Sequence, residues 1–326
     1  MAQQQPPEPP SRRGALVIGG CGFLGYHLVQ HLGKDASFSP LHVLDVNITN
    51  NRVDDVMYTQ GTITDGQAVH STLQRFQPRV VFHMASPPAS LPSNLHKEFD
   101  ETNVKGTQTL LEASKNAHVE AFVYTSTVDV YADPPHNSLG EDAPLWTDVS
   151  GKPVKMSEYC RTKAIADGLV RIANSASLPT VVLRPGHVYG ERHTQGLYEI
   201  LDAASGTKPL VQLKTDALMD VASADNVAAG HVLAAKALLN GVAGVAGEAF
   251  NVSDGSPVPF WHHARVIWTV ARGKKAVDNI WTLPTWVMNI AKAQRLLGFK
   301  PVVNHDEVLA ESVRWELKRR GQQAMG

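Results

Sequence analysis

The most restrictive feature of this sequence is the alternation, between residues 14 and 185, of short apolar runs with segments of helical spacing. Strands whose side chains are apolar throughout are buried on both faces, which is typical of a parallel sheet covered by helices on both sides. The alternation therefore predicts an α/β fold with a doubly wound parallel sheet. The apolar runs are ALVIGG, LHVLDV, RVVFHMA, AFVYTST and PTVVLRPG.

The first apolar run ends in a glycine-rich turn, VIGGCGFLG, that leads into a helical pattern. Gly19, Gly22 and Gly25 have the spacing G-x-x-G-x-x-G. Glycines in such a turn let the backbone approach a pyrophosphate, and the N-terminus of the next helix favours an anion. Glycines are common in ordinary turns, but their position between the first strand and the first helix favours dinucleotide binding.

Three further positions fit a dinucleotide. Asp45 ends the second strand, 20 residues after Gly25, where a carboxylate accepts hydrogen bonds from both ribose hydroxyls and repels a 2′-phosphate. This favours NAD over NADP. Asp65 follows the third strand and could accept a hydrogen bond from the adenine amino group; a helix N-cap is the alternative, and the two roles are compatible. Ala85 and Ser86 leave the fourth strand with small side chains that would admit the ribose and nicotinamide.

The segments after the fifth strand carry the candidate catalytic groups. Ser126 and Thr127 place hydroxyls at the strand end, and a later helical segment carries Tyr159 and Lys163 four residues apart, on one helix face. A tyrosine with a pKa of about 10 is a poor base at neutral pH, but a neighbouring ammonium and a positive nicotinamide both favour the phenolate. The pattern predicts hydride transfer to or from an alcohol, with Tyr159 as the acid/base.

Composition excludes several other classes of protein. The formal net charge is −1 with acids and bases mixed, so no basic face for a nucleic-acid partner is expected. The two cysteines, Cys21 and Cys160, make a disulfide framework implausible and favour a reducing compartment, and neither has zinc-ligand spacing. The N-terminus lacks the apolar core of a signal peptide. We expect a cytoplasmic protein, with peripheral contact at the endoplasmic reticulum surface as the most that the sequence allows.

The same pattern divides the chain into two unequal parts. Residues 1–12, rich in Gln and Pro, are predicted to be a disordered tail. Residues 13–185 are predicted to form an NAD-binding Rossmann domain. Residues 186–326 hold helices and loops with much Pro and Trp, and are predicted to be mostly a smaller substrate-binding domain. Segments around 216–252 are expected to return to the Rossmann core.

With these motifs in this order, the chain resembles an extended short-chain dehydrogenase/reductase over nearly all of its length beyond the tail. The segments NVKGTQTLLEAS and LRPGHVYG are also similar to that family. The resemblance implies that Lys163 lowers the pKa of Tyr159 and holds the nicotinamide ribose, and that Thr127, with Ser126, orients the substrate oxygen. It further implies that NAD contacts Phe23, Leu24, Thr125, Pro185 and Val188.

Four segments narrow the resemblance to the 3β-hydroxysteroid dehydrogenases, and within them to the decarboxylating sterol-4α-carboxylate 3-dehydrogenases. In those enzymes a 3β-hydroxyl beside a C4 carboxylate is oxidised, and the β-keto acid loses CO₂ because the new ketone accepts the electrons. The same step occurs in fungal triterpenoid and meroterpenoid pathways, so the resemblance leaves the polycycle open. The segments are VIGGCGFLGYHLV, VVFHMASPP, NVAAGHVLAAKALL and FNVSDGSPVPFW.

The chain departs from that family's pattern in two places. Thr127 stands where the family commonly has a catalytic serine; it keeps the hydroxyl and adds a methyl group, so we expect activity with a slightly altered pocket. The stretch between WTLP and LLGFKP is shorter than in the similar sterol enzymes, which usually have a hydrophobic insertion there. Its absence predicts weaker membrane association and a more open or differently shaped substrate pocket.

Several polar and aromatic residues have two interpretations. His187, Arg192 and His193 are candidates for neutralising a substrate carboxylate, although for each one a solvated loop residue is favoured. Cys160 is expected to be a packing residue, and the pair His262–His263 to be structural, with no partners at metal-ligand spacing. Four tryptophans could line an apolar pocket or pack within the small domain, namely Trp261, Trp268, Trp281 and Trp286.

Three other functions share parts of this pattern. A 3β-hydroxysteroid dehydrogenase/Δ5-isomerase would oxidise without releasing CO₂. A sugar-nucleotide epimerase would retain NAD through its cycle and would need polar groups for a diphosphate. A dinucleotide-sensing regulator of the same fold would typically lack the Tyr–Lys pair. By analogy with many relatives, the helices NVKGTQTLLEA and SEYCRTKAIAD are expected to form a homodimer interface.

Overall fold

The structure is a computed structural model in which most of the chain is described. The predicted tail at 1–12 and the WTLP segment at 281–284, with Trp281, lie outside the described residues. The described residues are 13–132, 136–148, 157–193, 196–205, 211–213, 217–272, 277–279 and 286–322.

The strands follow the apolar runs of the sequence in the N-terminal half and are shorter and more scattered after it. They are β1 (Ala15–Ile18), β2 (Leu41–Asp45), β3 (Val56–Gln60), β4 (Val80–His83), β5 (Ala121–Thr125), β6 (His136–Leu139), β7 (Thr180–Pro185), β8 (His187–Tyr189), β9 (Val211–Leu213), β10 (Leu218–Met219), β11 (Val221–Ser223), β12 (Ala249–Val252), β13 (Val258–Pro259), β14 (Val277–Asn279) and β15 (Trp286–Met288).

Helices separate most of the strands up to β7, although β3 follows β2 without one. They are α1 (Phe23–Gly33), α2 (Gly66–Phe76), α3 (Lys97–Phe99), α4 (Thr107–Asn116), α5 (Glu158–Ile172), α6 (Leu197–Ser205), α7 (Ala224–Leu239), α8 (Phe260–Arg272), α9 (Ala291–Leu297) and α10 (His305–Arg319). A π-helical segment, Asp100–Gly106, joins α3 to α4. Within the described ranges, no helix is both long enough and apolar enough to cross a membrane.

Seven parallel strands form the central sheet, in the order β12-β7-β5-β4-β1-β2-β3. Every residue of β1, β4, β5 and β7 is buried, because helices cover both faces of the sheet. The strand order reverses between β1 and β4, and ligands of such sheets bind beyond the carboxyl ends of the strands at this point. The prediction of a Rossmann-type α/β fold is confirmed.

Two apolar cores lie on opposite faces of the sheet. On one face α1 packs against α7, and Leu28 and Val227 belong to that core. On the other face α4 packs against α2 and α5, with Leu110 and Val170 in the second core. The sheet therefore holds α1 and α5, the two helices that carry predicted site residues, on opposite sides of the same strands.

Beyond β7, the chain adds to the sheet and also builds a separate helical layer. Residues 249–252 form β12, which pairs with β7 so that Phe250 lies opposite Leu183. Helices α6, α8 and α10 pack together around a third core that contains Ile267 and Leu309. This layer lies beyond the paired strands β8 and β11. In the chain, β8 directly follows β7, and β11 directly precedes α7.

A buried ion pair ties α5 to the sheet. Arg184 of β7 is fully buried, and its guanidinium donates to both carboxylate oxygens of Asp167 at 2.8 and 2.9 Å. It also donates to the Tyr131 hydroxyl at 2.9 Å and to the backbone carbonyl of Glu141 at 3.1 Å. Tyr131 in turn donates to the side-chain oxygen of Asn251 at 2.7 Å. One guanidinium thus connects α5, β7, β12 and the segment that follows β5.

We predict that Arg184→Met lowers the free energy of unfolding by about 3–5 kcal/mol, because it leaves the Asp167 carboxylate buried without its cation. The double variant Arg184→Met, Asp167→Leu should recover most of that loss, since neither charge is then buried. Urea denaturation followed by circular dichroism measures both. A single variant within about 1 kcal/mol of the wild type would contradict this role for the pair.

Candidate active site

Two adjoining cavities lie beyond the carboxyl ends of the central strands. The first, of about 560 Å³, is lined by Asp45 and is called the Asp45 cavity. The second, of about 680 Å³, is lined by Tyr159 and is called the Tyr159 cavity. They form one continuous cleft, because five residues line both: Gly22, Met84, Ser86, Pro87 and Pro88.

The glycine turn brings the N-terminus of α1 into this cleft. Gly19 has a φ of +80°, and a Cβ there would lie 2.8 Å from the backbone nitrogen of Ala85. A Cβ on Gly25 would lie 2.1 Å from the carbonyl oxygen of Gly19. Gly22 is the N-cap of α1. Side chains at Gly19 and Gly25 would collide with neighbouring backbone atoms. Because the turn has no side chains there, a pyrophosphate can approach its backbone closely.

Asp45 lies where a dinucleotide ribose would be held. Its carboxylate accepts hydrogen bonds from the backbone N–H groups of Cys21, at 2.9 Å, and Asn47, at 3.0 Å. These bonds fix the carboxylate at the end of β2, beside the glycine turn and on the wall of the Asp45 cavity. A fixed anion there fits the ribose hydroxyls of NAD and disfavours the 2′-phosphate of NADP.

The structure shows Asp65 as a helix N-cap, which is compatible with the adenine prediction. Its carboxylate accepts a hydrogen bond from the backbone N–H of Ala68 at 3.0 Å and caps α2, so the N-cap alternative holds. Asp65 does not line the Asp45 cavity, whereas Thr62, Ile63 and Thr64 just before it do. The loop before Asp65 therefore bounds this end of the cavity, and a contact between Asp65 and the adenine stays a prediction.

The remaining predicted cofactor residues line the same cleft. Ala85 lines the Asp45 cavity and packs against Gly19, while Ser86 lines both cavities and donates to the carbonyl of Pro87 at 3.1 Å. The Tyr159 cavity is also lined by Phe23, Leu24, Gly25, Thr125, Pro185 and Val188. The residues present fit a dinucleotide that runs from Asp45 past the glycine turn to Tyr159.

Helix α5 presents Tyr159 and Lys163 to the cleft. The helix begins where the Ser157 hydroxyl accepts a hydrogen bond from the backbone N–H of Cys160 at 3.1 Å. Lys163 Nζ donates to the backbone carbonyl of Thr125 at 2.6 Å and lies 4.4 Å from the centre of the Tyr124 ring. Both predicted catalytic residues of the helix line the Tyr159 cavity.

Burial shifts the pKa values of the two helix residues in opposite directions. It raises the pKa of Tyr159 well above its usual range, and the neighbouring acidic groups of Asp129 and Cys160 raise it further. Burial also lowers the pKa of Lys163 to about 7, and its amine points to the Thr125 carbonyl. That Lys163 lowers the pKa of Tyr159 stays a prediction, and a positive charge brought by the cofactor would act in the same direction.

Thr127 lines the same cavity as Tyr159. Its hydroxyl acts against the rise in the pKa of the phenol. Thr127 also donates to a carboxylate oxygen of Asp129 at 3.1 Å and accepts from the backbone N–H of Asp129 at 3.2 Å. Ser126 lines the same cavity, but its buried hydroxyl has no hydrogen-bond partner among the described residues.

Asp129 is a cleft residue that the sequence analysis did not single out. It lines the Tyr159 cavity, and burial raises the pKa of its carboxyl group, against the opposing hydrogen bond from Thr127 and the charge of His187. The sequence held one signal for it: Asp129 is an acid two residues beyond the candidate hydroxyl of Thr127, in the segment that follows the carboxyl end of β5.

Of the three candidate substrate residues, two lie in the cleft and one lies outside it. His187 and His193 line the Tyr159 cavity, and the His193 ring stacks on Phe23 at 4.7 Å. Burial lowers the pKa of both histidines, that of His193 to about 3, so both are neutral near pH 7. Arg192 lies outside the cleft, with its guanidinium 4.0 Å from the centre of the Tyr26 ring and a hydrogen bond to Asn51 at 2.8 Å. This position does not support Arg192 as a substrate ligand.

The pair His262–His263 has partners that local sequence spacing missed. Asp306 hydrogen-bonds His262 at 2.7 Å and His305 at 2.7 Å, and His305 hydrogen-bonds His263 at 2.9 Å. His262, His305 and Asp306 each offer one atom that could bind a metal, an imidazole nitrogen or a carboxylate oxygen, and these atoms lie within 4.8 Å of one another. Each of these groups is already paired with a neighbour, which accounts for the cluster as a link between α8 and the start of α10.

The tryptophans with described side chains in α8 pack within the helical layer. Trp268 donates to the backbone carbonyl of Ile200 in α6 at 3.0 Å, and the rings of Trp261 and Trp268 lie 5.9 Å apart. Neither residue lines the cleft cavities. The packing interpretation therefore applies to both.

Comparison with known families accounts for this combination of cleft and catalytic helix. Residues 16–284 match the model of the 3-beta hydroxysteroid dehydrogenase/isomerase family. The chain belongs to this family. Among curated relatives, the decarboxylating sterol-4-alpha-carboxylate 3-dehydrogenase of Saccharomyces cerevisiae is 29% identical over 92% of this chain and 97% of its own. The enzyme of the same description from Bos taurus is 28% identical over 94% and 93%. The predicted family is confirmed.

Solved structures support the fold independently. A UDP-glucose-4-epimerase from Stenotrophomonas maltophila, with bound NAD and formylated UDP-arabinopyranose, superposes with a TM-score of 0.80 at 18% identity, over 95% of this chain and 99% of its own. The Bordetella bronchiseptica enzyme WbmH, in complex with NAD⁺, has a TM-score of 0.78 at 20% identity, over 94% and 99%. The chain is an oxidoreductase with the extended short-chain dehydrogenase/reductase fold, and its cleft fits NAD.

We predict that Gly25→Ala weakens NAD binding by at least about tenfold, because the new methyl group would collide with the carbonyl of Gly19 and open the turn. Gly33→Ala is the matched control: it lies at the end of the same helix with open space around it, so its NAD affinity should equal that of the wild type. Calorimetric titration with NAD compares the two. Equal affinities would contradict the proposed position of the pyrophosphate.

We further predict that Asp45→Asn lowers NAD affinity by about tenfold and narrows the preference for NAD over NADP. The amide keeps the shape of the side chain but loses both the charge-assisted hydrogen bonds and the repulsion of a 2′-phosphate. The ratio of the two dissociation constants is the measurement. Asp54→Asn, in the exposed segment before β3, should leave the ratio unchanged; an unchanged ratio in Asp45→Asn would exclude this role.

Proposed function

We propose that the chain oxidises a 3β-hydroxyl on an apolar polycyclic substrate with NAD as hydride acceptor, and that a neighbouring C4 carboxylate is lost as CO₂ through a β-keto acid. The observation that carries this proposal is that Thr127, Tyr159 and Lys163 line one cavity, beside the glycine turn that fits the cofactor. The decarboxylating step rests on the relatives named above, because their descriptions include it.

The substrate would lie against Tyr159, with the cofactor along the glycine turn. Thr127 would hold the substrate oxygen beside the phenol, and Lys163 would hold the nicotinamide ribose. Apolar side chains form the walls around them, including Met84, Pro87 and Val188. An apolar wall of this kind fits a polycyclic hydrocarbon frame better than a sugar.

Oxidation begins with removal of the hydroxyl proton by Tyr159. NAD⁺, when bound, supplies the hydride acceptor and a positive charge that favours the phenolate. Since burial raises the pKa of Tyr159, proton transfer depends strongly on that charge. The tyrosine is therefore a base mainly in the complex with the oxidised cofactor, which couples deprotonation to hydride transfer.

Decarboxylation follows from the ketone. Once C3 is a carbonyl, the electron pair of the bond between C4 and the carboxylate can move into an enolate. Both cleft histidines are neutral near pH 7, and the Tyr159 cavity holds the acids Asp129 and Glu199. A carboxylate held there is poorly neutralised, and it loses its charge when CO₂ leaves, which favours the step.

The decisive experiment measures NADH and CO₂ together with a panel of 4-carboxy-3β-hydroxy polycycles. The proposal expects the two products in equal amounts. The same polycycles without the carboxylate serve as controls and should give NADH alone. NADH without CO₂ from the carboxylated panel would instead support a dehydrogenase/isomerase, and no NADH from any member would overturn the proposal.

Tyr159→Phe should leave NAD affinity nearly unchanged and lower kcat by about 10²- to 10⁴-fold, because only the acid/base is removed. Tyr198→Phe removes a hydroxyl from α6, outside the cleft, and should retain normal turnover. Steady-state kinetics and NAD titration separate the two effects. Normal turnover by Tyr159→Phe would disprove the mechanism.

A further inference from the structure

The link between α8 and the start of α10 is built from donor groups that divalent transition metals prefer. His262 lies in the first turn of α8, and His305 and Asp306 are the first two residues of α10. Their metal-binding atoms all lie within 4.8 Å of one another. We call these three residues the α8–α10 cluster. None of the three lines the Asp45 cavity or the Tyr159 cavity, so the cluster is separate from the active site.

Both imidazole rings of the cluster converge on one oxygen atom. His262 Nε2 and His305 Nδ1 each lie 2.7 Å from Asp306 Oδ1. Around a four-coordinate zinc ion, neighbouring ligand atoms are about 3.3 Å apart, because each lies about 2.0–2.1 Å from the ion. The two short contacts would therefore need to lengthen by only about 0.6 Å to admit the ion.

The exposure of the three side chains allows this adjustment. The side chains of His262 and Asp306 are 40% and 56% exposed, whereas that of His305 is buried. The two exposed groups can move apart without repacking the core, while the buried ring stays in place. The exposed side also gives a hydrated ion a path of entry and leaves room for water as a fourth ligand.

A buried neighbour holds His305 in the orientation that a metal ligand needs. The His305 ring packs against Tyr189, with ring centres 5.1 Å apart, and its Nε2 lies 2.9 Å from His263 Nδ1 in a hydrogen bond. His263 is itself buried. Metal-binding histidines usually donate their second ring N–H to a neighbouring acceptor, which fixes the ring and its tautomer. With the proton on His305 Nε2, the Nδ1 atom keeps a lone pair directed at the cluster.

The donor set identifies the class of ion. Imidazole nitrogens suit zinc and the other late first-row metals, and a carboxylate commonly completes such sites. Magnesium and calcium instead take six or more ligands, nearly all of them oxygens. Two nitrogens and one carboxylate group therefore favour Zn²⁺ over Mg²⁺ and Ca²⁺.

We propose that His262, His305 and Asp306 form a binding site for a divalent transition-metal ion, that Zn²⁺ fits it best, and that water is the fourth ligand. The ion replaces the protons that join the carboxylate to the two rings, and it cross-links α8 to α10. This inference concerns the helical layer and is independent of the proposed function.

The ion reinforces a contact that the helical layer already has. Helices α8 and α10 pack against each other, and Ile267 and Leu309 belong to the core they share. An ion that binds only the folded chain stabilises it by mass action. Saturating Zn²⁺ should therefore raise the Tm by a few degrees, and the same concentration of Mg²⁺ should leave it unchanged.

The test titrates ZnCl₂ into the full-length protein, after treatment with a chelator, and measures the heat of binding. We expect one Zn²⁺ per chain, and Asp306→Asn should remove this binding because the anionic ligand is lost. Glu307→Gln is the matched control. It neutralises the next carboxylate of the same helical turn, which accepts a hydrogen bond from Asn304 outside the cluster, and it should bind Zn²⁺ as the wild type does.

Cobalt reports the coordination directly. Four-coordinate Co²⁺ absorbs visible light much more strongly than the hydrated six-coordinate ion, and it accepts the same ligands as zinc. The wild type with CoCl₂ should show the strong bands and should lose them when Zn²⁺ is added. Asp306→Asn should show only the weak spectrum of hydrated Co²⁺.

The outcomes decide the proposal. Zinc binding that is lost in Asp306→Asn and kept in Glu307→Gln supports it. No heat of binding by the wild type, or equal zinc affinity in the wild type and Asp306→Asn, overturns it, since an ion bound equally by both is held elsewhere. If Asp306→Asn fails to fold, His262→Ala decides by the same criteria, because this side chain lies partly at the surface. The titrations need neither NAD nor a substrate, so a failure of the proposed function leaves them unaffected.

Discussion

The hydrogen bonds of one buried guanidinium hold the catalytic parts of this protein together. Arg184 pairs with Asp167, which lies one helical turn beyond Lys163 on α5. It also holds the hydroxyl of Tyr131, just past the segment that carries Thr127 and Asp129. A charge buried this deeply is stable only when its partners satisfy it. The positions of the catalytic helix and of the hydroxyl-bearing segment are therefore linked through the centre of the sheet.

The charge balance around Tyr159 follows from that arrangement. Lys163 reaches under the cofactor region to the Thr125 carbonyl, while Asp129 lies on the other side of the Thr127 hydroxyl. The Tyr159 phenol and the Asp129 carboxyl thus line the same cavity. These surroundings raise the pKa of the phenol, and a positively charged cofactor close to it would lower that pKa.

The fold was predictable because uniformly apolar strands have few alternatives to a covered parallel sheet. The glycine turn and Asp45 were predictable because backbone geometry and the ribose both restrict residue type. Three other features were not predictable, because they depend on which side chains meet across distant segments. These are the presence of Asp129 in the cleft, the position of Arg192 outside it, and the partners of His262. Asp65 shows the same limit, because local capping chemistry and a ligand contact both favour an acid at this position.

The path of the chain at residues 192 and 193 joins remote parts of the molecule. Arg192 stacks on Tyr26 of α1 and lies 5.3 Å from the ring centre of Trp315 in α10, whereas His193 stacks on Phe23 inside the cleft. Two consecutive residues therefore contact the first turn of the cofactor helix, at Phe23 and Tyr26. The last helix of the chain is thereby mechanically coupled to the first, so its docking contributes to the shape of a pocket that it never lines.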